Sequence, residues 1–261
     1  MDARSMLPWL APRPIHFPPV DEALTDPDGL LAVGGELNAD WLLAAYQRGI
    51  FPWFSDDQPI LWWSPDPRMV LFPDQLIVRR SLAKRMRNAG FTVSANTAFN
   101  AVVDGCAAPR DDQPGTWITD DMRHAYAELH RLGAAQSVEV WREKRLVGGL
   151  YGVTLGPVFF GESMFSREAD ASKVALVTLA RAMQAGGGRL IDCQMHTRHL
   201  QSLGARDIAR HEFIGYLEKW LGRPKHHASA DLGFVPTSWS FETSDTSSGL
   251  STHPTREGST R

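Results

Sequence analysis

Cysteine is scarce in this sequence: two residues in 261, Cys106 and Cys193. Two thiols cannot frame a disulfide-stapled fold, and neither stands in the CxxC or His-rich spacing that a zinc site needs, so no metal is expected and a reducing cytoplasm fits best. No apolar run reaches the roughly 18 residues of a membrane span. The N-terminal MDARSMLPWLAPRPIHFPP carries charge and proline where a signal peptide is unbroken and apolar. The chain therefore reads as neither exported nor membrane-spanning. Excess positive charge is also missing. A formal net charge of -3 excludes a globally basic nucleic-acid binder and leaves local patches open. What is present is an ordinary globular composition, 43% hydrophobic and 22% charged, in a chain long enough for one large domain or two small ones.

Residues 1–66 are rich in Pro, Gly and Trp and suggest short elements, with Asn38 capping a helix that Gly49 stops. From Met69 the pattern becomes regular. A strand (MVLF), a basic helix over 80–90, a strand over 91–96 and a short helix near 97–107 follow one another, and Thr119 with Asp120 can cap a helix to Leu132. SVEVWRE, RLVGGLYGVTL and PVFFGESMF then read as strands joined by EK and GP turns, an antiparallel meander. A long helix over 169–185 and a strand RLIDCQ complete an α+β pattern with a mixed, mainly antiparallel sheet covered on at least one face. The last 21 residues hold ten Ser or Thr without apolar periodicity, so 241–261 reads as a disordered tail.

Two segments invite chemistry. In GRLIDCQMHTRHLQSLGA an apolar strand runs into Asp192, Cys193, Gln194 and His196. Burying an acid and an amide there is expensive unless they are paired, so either a network satisfies them or they are placed for a reaction. On a regular strand, positions i and i+2 share a face. Asp192 and Gln194 are then expected to look into one cleft while Cys193 points into the core. VRRSLAKRMRNAG sets Arg80, Lys84 and Arg87 at i, i+4 and i+7, a face for phosphates or merely a solvated surface.

The strings FPWF (51–54), WWSPDPR (62–68), GTWIT (115–119), GESMFSR (161–167), ASK (171–173), IDCQ (191–194) and SLGA (202–205) occur in series. In that order and spacing the chain resembles the leucyl/phenylalanyl-tRNA–protein transferases over roughly residues 10–240. The resemblance implies a small N-terminal domain, 1–66, and a catalytic domain, 67–240, like the GCN5-related N-acetyltransferases. It implies a cytoplasmic aminoacyltransferase, for which no cofactor is expected and a monomer is the default. Such an enzyme moves Leu or Phe, less readily Met, from aminoacyl-tRNA to the α-amine of acceptor proteins with N-terminal Arg or Lys, marking them for the N-end rule pathway of protein degradation.

By the same resemblance Asp192 and Gln194 are tied to catalysis, and Glu162 to substrate binding, where its charge can meet a cationic N-terminus. Trp53, Trp117, Phe159, Leu179, Met183 and Ile191 are carried over as the walls of a slot for an apolar side chain unbranched at Cβ. In this setting Arg79, Arg80, Lys84, Arg85 and Arg87 are suited to the phosphates of an acceptor stem. An acyl-CoA-dependent acetyltransferase fits less well. Such enzymes cradle a pyrophosphate on a Gly-rich loop, and SMFSREADASKVAL contains no glycine. A non-catalytic RNA- or peptide-binding module explains the basic helix but leaves Asp192, Gln194 and Glu162 without a purpose.

Overall fold

The protein is described from a computed structural model, which covers residues 7–109 and 117–223. Its elements in chain order are β1 (Trp9–Leu10), β2 (Leu30–Gly34), α1 (Ala39–Tyr46), β3 (Phe51–Pro52), β4 (Leu61–Trp63), β5 (Arg68–Leu71), α2 (Arg80–Asn88) and β6 (Thr92–Ala95). These are followed by α3 (Phe99–Ala107), α4 (Asp120–Arg131), β7 (Ala135–Arg142), β8 (Arg145–Leu155), β9 (Val158–Ser166) and α5 (Ala171–Ala185). The last four are β10 (Leu190–Gln194), α6 (Arg198–Gln201), β11 (Arg206–Ile208) and α7 (Arg210–Leu221). The class is α+β, as the sequence pattern predicts. The expected 241–261 tail lies outside the described residues.

Local chemistry explains several boundaries. The Asn38 side chain accepts a hydrogen bond from Trp41 N at 3.1 Å, and the Thr119 hydroxyl accepts one from Met122 N at 3.2 Å. Each satisfies an amide that the first helical turn leaves free. Glu143 and Lys144 both take positive φ, 49° and 67°. That is the requirement of a two-residue hairpin whose twist matches its strands, and it joins β7 to β8. The four short strands of the N-terminal region and helix α7 carry little periodic signal and are not foreseen by the sequence pattern. They form because they pack. Trp41 and Trp62 stack at 5.8 Å, Phe17 meets both edge-on, and all three rings are buried.

The first sheet has the order β1-β2-β4-β3, and the second the order β11-β5-β10-β9-β8-β7-β6. In the seven-stranded sheet only β10 and β9 run parallel, a pairing that needs a crossover, supplied here by α5. The meander β7–β8–β9 presents alternate residues to two cores. Leu150 and Phe159 pack with Val174, Leu179 and Met183 of α5. Tyr151 and Phe160 pack instead with residues of α1, α3 and α4, among them Tyr46, Val102 and Tyr126. The sheet is thus covered on both faces.

One irregularity positions everything that follows. The parallel ladder joins Leu190, Ile191 and Asp192 to Val158, Phe159 and Phe160, and goes no further. Beyond it each strand carries a bulge. On β9, Tyr151 pairs with Ser163 and Gly152 with Gly161, which leaves Glu162 as the extra residue. On β10, Asp192 pairs with Val70 and Gln194 with Met69, which leaves Cys193 as the extra one. Bulges bend a strand and re-aim its side chains, and two of them where neighbouring strands stop pairing open a gap in the sheet.

Candidate active site

That gap is the wall of a cavity of about 870 Å³, large enough for a drug-sized ligand. Glu162, Asp192, Cys193 and Gln194 line it at the bulges, with Tyr151 and Trp117. Leu150, Phe159, Met164, Leu176 and Ile191 give it an apolar wall. Leu150, Phe159 and Ile191 belong to the core under α5, and Tyr151 to the core under α3 and α4. The cavity therefore communicates with both faces of the sheet.

Asp192 and Gln194 both line this cavity, as expected, but they are held there in different ways. Asp192 is fully buried, and its carboxylate takes a bidentate pair from Arg68, Nε to Oδ1 at 2.8 Å and Nη2 to Oδ2 at 2.7 Å. Arg68 is itself buried, its guanidinium held between the rings of Phe51 and Phe213 at 4.8 and 4.7 Å. A carboxylate paired in this way is a structural anchor rather than a free base. Its Oδ1 also accepts the backbone N–H of Gln194 at 2.9 Å. Gln194 sits at φ 60°, the left-handed region that a residue with a side chain enters only when its surroundings hold it there. The bulge and this turn override the two-residue period. They also bring the Cys193 side chain, expected in the core, to a partly buried place on the cavity wall. Burial and the neighbouring Asp192 charge push its thiol well above the ordinary range, so it is a poor nucleophile.

Once turned, the Gln194 side chain meets Glu162. Its Nε2 donates to Glu162 Oε1 at 2.9 Å, and the Tyr126 hydroxyl donates to Glu162 Oε2 at 2.6 Å. Glu162, carried over as the group that meets a cationic N-terminus, thus has both of its oxygens engaged within the protein. Its pKa is pushed up to about 7, first by burial, with the Asp192 charge adding to the rise and the hydroxyls of Tyr126 and Tyr46 and the Gln194 amide opposing it. A carboxyl poised near neutrality in a cavity can exchange a proton with a bound amine. Because the Gln194 amide spends an N–H on Glu162, its carbonyl oxygen is left as the acceptor for a ligand.

Of the six residues carried over as slot walls, Trp117, Phe159 and Ile191 line the cavity. Leu179 and Met183 do not reach it. Both are fully buried in the core under α5, and Leu176 is the α5 residue that reaches the wall. Trp53 is 40% exposed, packs edge-on to Trp63 and is not part of this wall. The basic residues behave as a surface. Arg79, Arg80, Lys84 and Arg87 are exposed, whereas Arg85 is partly buried. Lys84 and Arg85 line a second cavity of about 470 Å³ together with Arg142, which the sequence pattern did not single out.

The sequence model of the Leucyl/phenylalanyl-tRNA protein transferase family matches residues 70–218, more than half of the chain, and that of the Leucyl/phenylalanyl-tRNA protein transferase N-terminal domain matches residues 35–66. The chain belongs to the leucyl/phenylalanyl-tRNA–protein transferase family. Among similar relatives of this transferase, the leucyl/phenylalanyl-tRNA–protein transferase of Chromohalobacter salexigens is 64% identical over 219 residues, 84% of this chain and 86% of that one. Its namesake in Pseudomonas aeruginosa strain LESB58 is 58% identical over 229 residues, 88% of this chain and all of that one. A solved structure of a GCN5-related N-acetyltransferase from Kribbella flavida is similar at 16% identity and a TM-score of 0.36, covering 63% of this chain and 58% of that one. A likeness so distant adds nothing to the assignment, which rests on the family match.

Arg68, Tyr126, Tyr151 and Leu176 are the site residues that sequence reasoning missed. Arg68 was findable. It closes WWSPDPR immediately before the apolar MVLF, and a charged residue opening a buried strand needs a counter-charge, as Asp192 at the end of another does. The tyrosines carry a weaker signal: three of the chain's four, Tyr46, Tyr126 and Tyr151, are buried in one core beside this cavity.

Proposed function

We propose that the protein transfers Leu or Phe, and less readily Met, from aminoacyl-tRNA to the α-amine of proteins beginning with Arg or Lys. The observation that carries this reading is the Gln194–Glu162 pair set in the gap of the sheet, with an apolar wall on one side of it. The donor's side chain lies against Phe159, Leu176 and Ile191, where shape rather than hydrogen bonding selects unbranched apolar groups. The reaction is aminolysis of an ester that is already activated, so the main tasks are alignment and the management of protons.

The acceptor's α-ammonium has a pKa near 8. It gives one proton to Glu162, only about a unit weaker as a base. The neutral amine, held by the Gln194 carbonyl oxygen, attacks the ester carbonyl carbon. A C–N bond forms, the C–O bond to the ribose breaks, and the second proton leaves the nitrogen for the departing ribose oxygen. Asp192 acts from behind by keeping Gln194 in its turn, and Glu162 contributes to binding the amine as well as taking its proton.

On this reading residues 1–66 and 67–240 are the two domains of a cytoplasmic monomer whose products enter the N-end rule pathway. Among the described residues no helix is long and apolar enough to cross a membrane. The acceptor stem lies on α2, where Arg80, Lys84, Arg85 and Arg87, with Arg79 just before the helix, meet its phosphates. The test of the function is transfer of radiolabelled leucine from charged tRNA to a protein starting with Arg, without acetyl-CoA or added metal. No transfer under those conditions removes the reading.

The role of α2 has its own test. Phosphate contacts release counterions, so binding weakens with salt in proportion to their number. Replacing Arg80 and Lys84 with Ala should lower the log–log salt slope of aminoacyl-tRNA binding by about 1 to 2 while sparing a minimal aminoacyl-adenosine donor. Equal losses with both donors would assign α2 to folding, and unchanged tRNA binding would make it a solvated face.

A further inference from the structure

The hydrogen-bond chain at the site does not end at Tyr126. Its hydroxyl lies 2.5 Å from that of Tyr46, the last residue of α1, which is fully buried and packs its ring on Phe160 at 5.2 Å. Four side chains thus run in series, Tyr46, Tyr126, Glu162 and Gln194, from the N-terminal region to the gap in the sheet.

The proton order in this chain is constrained. Tyr126 spends its single O–H on Glu162, so in the Tyr46–Tyr126 contact Tyr46 is the donor and Tyr126 the acceptor. Burial and the neighbouring Glu162 charge hold both phenols well above their ordinary range, so both keep their protons at any working pH. An O–H that accepts one hydrogen bond becomes a stronger donor in the next, and the effect is larger in a dry interior. We propose that Tyr46 is a positioning residue for aminoacyl transfer, donated by the N-terminal region, which acts through Tyr126 to keep Glu162 ionised and so to keep the Gln194 carbonyl turned toward the cavity. This rests on the functional reading above and adds to it a residue that touches neither substrate.

The electrostatic surroundings give the sign. Glu162 faces Tyr46 of α1, Tyr126 of α4, Tyr151 of β8, and Asp192 with Gln194 of β10, while Arg68 of β5 lies beyond Asp192 and is neutralised by it. Cys106 of α3 and Arg123 of α4 act on Tyr151, and Cys193 lies beside Asp192. None of these places a free cation on Glu162. Hydrogen bonds to the charged form are what hold its pKa as low as about 7 against burial. When Glu162 is protonated, its hydrogen-bonding pattern changes and the Gln194 amide loses the partner that fixes which end faces the ligand.

The test is Tyr46→Phe, which keeps the ring against Phe160 and removes only the hydroxyl. Glu162 is titrated directly by its infrared carboxyl band, assigned by the band's loss in Glu162→Gln, in parallel with turnover from pH 5.5 to 9. The expected result is that the band's midpoint moves up by about half to one pH unit, the size of one hydrogen bond's preference for the ionised form. The acid limb of turnover moves by the same amount, and the rate at pH 9 returns toward that of the unsubstituted protein. Tyr126→Phe should shift both further, because it removes the direct donor. An unmoved midpoint in Tyr46→Phe overturns the proposal, as does a uniform loss of rate with an unmoved acid limb, the mark of a merely structural tyrosine. The infrared titration reads Glu162 without any substrate. Failure of the transfer reaction itself would count against the functional reading and leave the midpoint to judge Tyr46.

Discussion

Asp192→Ala should lose about 3–5 kcal/mol of stability, seen as a large fall in the denaturant midpoint, before any effect on turnover is considered. The ground is the bidentate pair with Arg68, at 2.7 and 2.8 Å with both side chains 1% exposed or less. Removing the carboxylate strands a guanidinium between Phe51 and Phe213 with no counter-charge, and a buried unpaired ion is among the most destabilising single defects. A direct catalytic role for Asp192 predicts the opposite, a folded protein with turnover cut roughly tenfold to a thousandfold. Two substitutions separate the views. Asp192→Asn retains the shape and an acceptor for the Gln194 amide but still loses the charge, so it should also be destabilised. Arg68→Met combined with Asp192→Leu replaces the pair by apolar volume and should recover much of the stability, since buried ion pairs are often no better than well-packed hydrophobes. That double variant should remain slow, because nothing then holds Gln194 in its turn. A stable Asp192→Ala with low turnover would return Asp192 to direct chemistry.

How much of this was legible beforehand depends on how local the cause is. The caps at Asn38 and Thr119 and the hairpin turn at Glu143–Lys144 are decided by a few adjacent residues, and their sequence signals are correct. Asp192 and Gln194 also stand out by local oddity, polar groups interrupting an apolar strand, whereas Glu162 is carried by the family resemblance. What those groups do was not legible, because it depends on two bulges. A bulge is set by what the partner strand and the core require, and one extra residue reverses every inward and outward assignment beyond it. Cys193, expected in the core, reaches the cavity wall for that reason, beside an Asp192 that is buried against Arg68. Leu179 and Met183 illustrate the same limit on a helix. The apolar face of α5 is broad, and periodicity cannot say which of its residues fills the core and which, like Leu176, reaches a cavity. Arg68 and Asp192 are 124 positions apart, so only the fold brings the charges together.

Gln194→Ala should leave the fold intact and lower turnover by about a hundredfold or more at saturating donor and acceptor. Gln194 is partly buried, and its side chain makes one hydrogen bond, to Glu162, so truncation removes little packing. A smaller side chain at a left-handed backbone position adds no new strain of consequence, since the turn is held through the main-chain N–H and the Asp192 carboxylate. The loss is functional. With the amide gone, Glu162 gives up one hydrogen bond to its charged form and its pKa rises from about 7, so a smaller fraction is ionised and able to accept the proton at neutral pH. The attacking amine also loses the oxygen that aligns it, and a misaligned nucleophile alone is worth on the order of a hundredfold. The two effects separate by pH. Raising the pH restores the ionisation of Glu162 and leaves the alignment unrepaired, so the variant should recover only part of its deficit at pH 9. Full recovery at high pH would mean that Gln194 serves solely to tune Glu162. An equal deficit at every pH would mean that it serves solely to hold the amine. Turnover close to that of the unsubstituted protein at pH 7 would remove Gln194 from the mechanism, leaving Glu162 as the group that meets the acceptor.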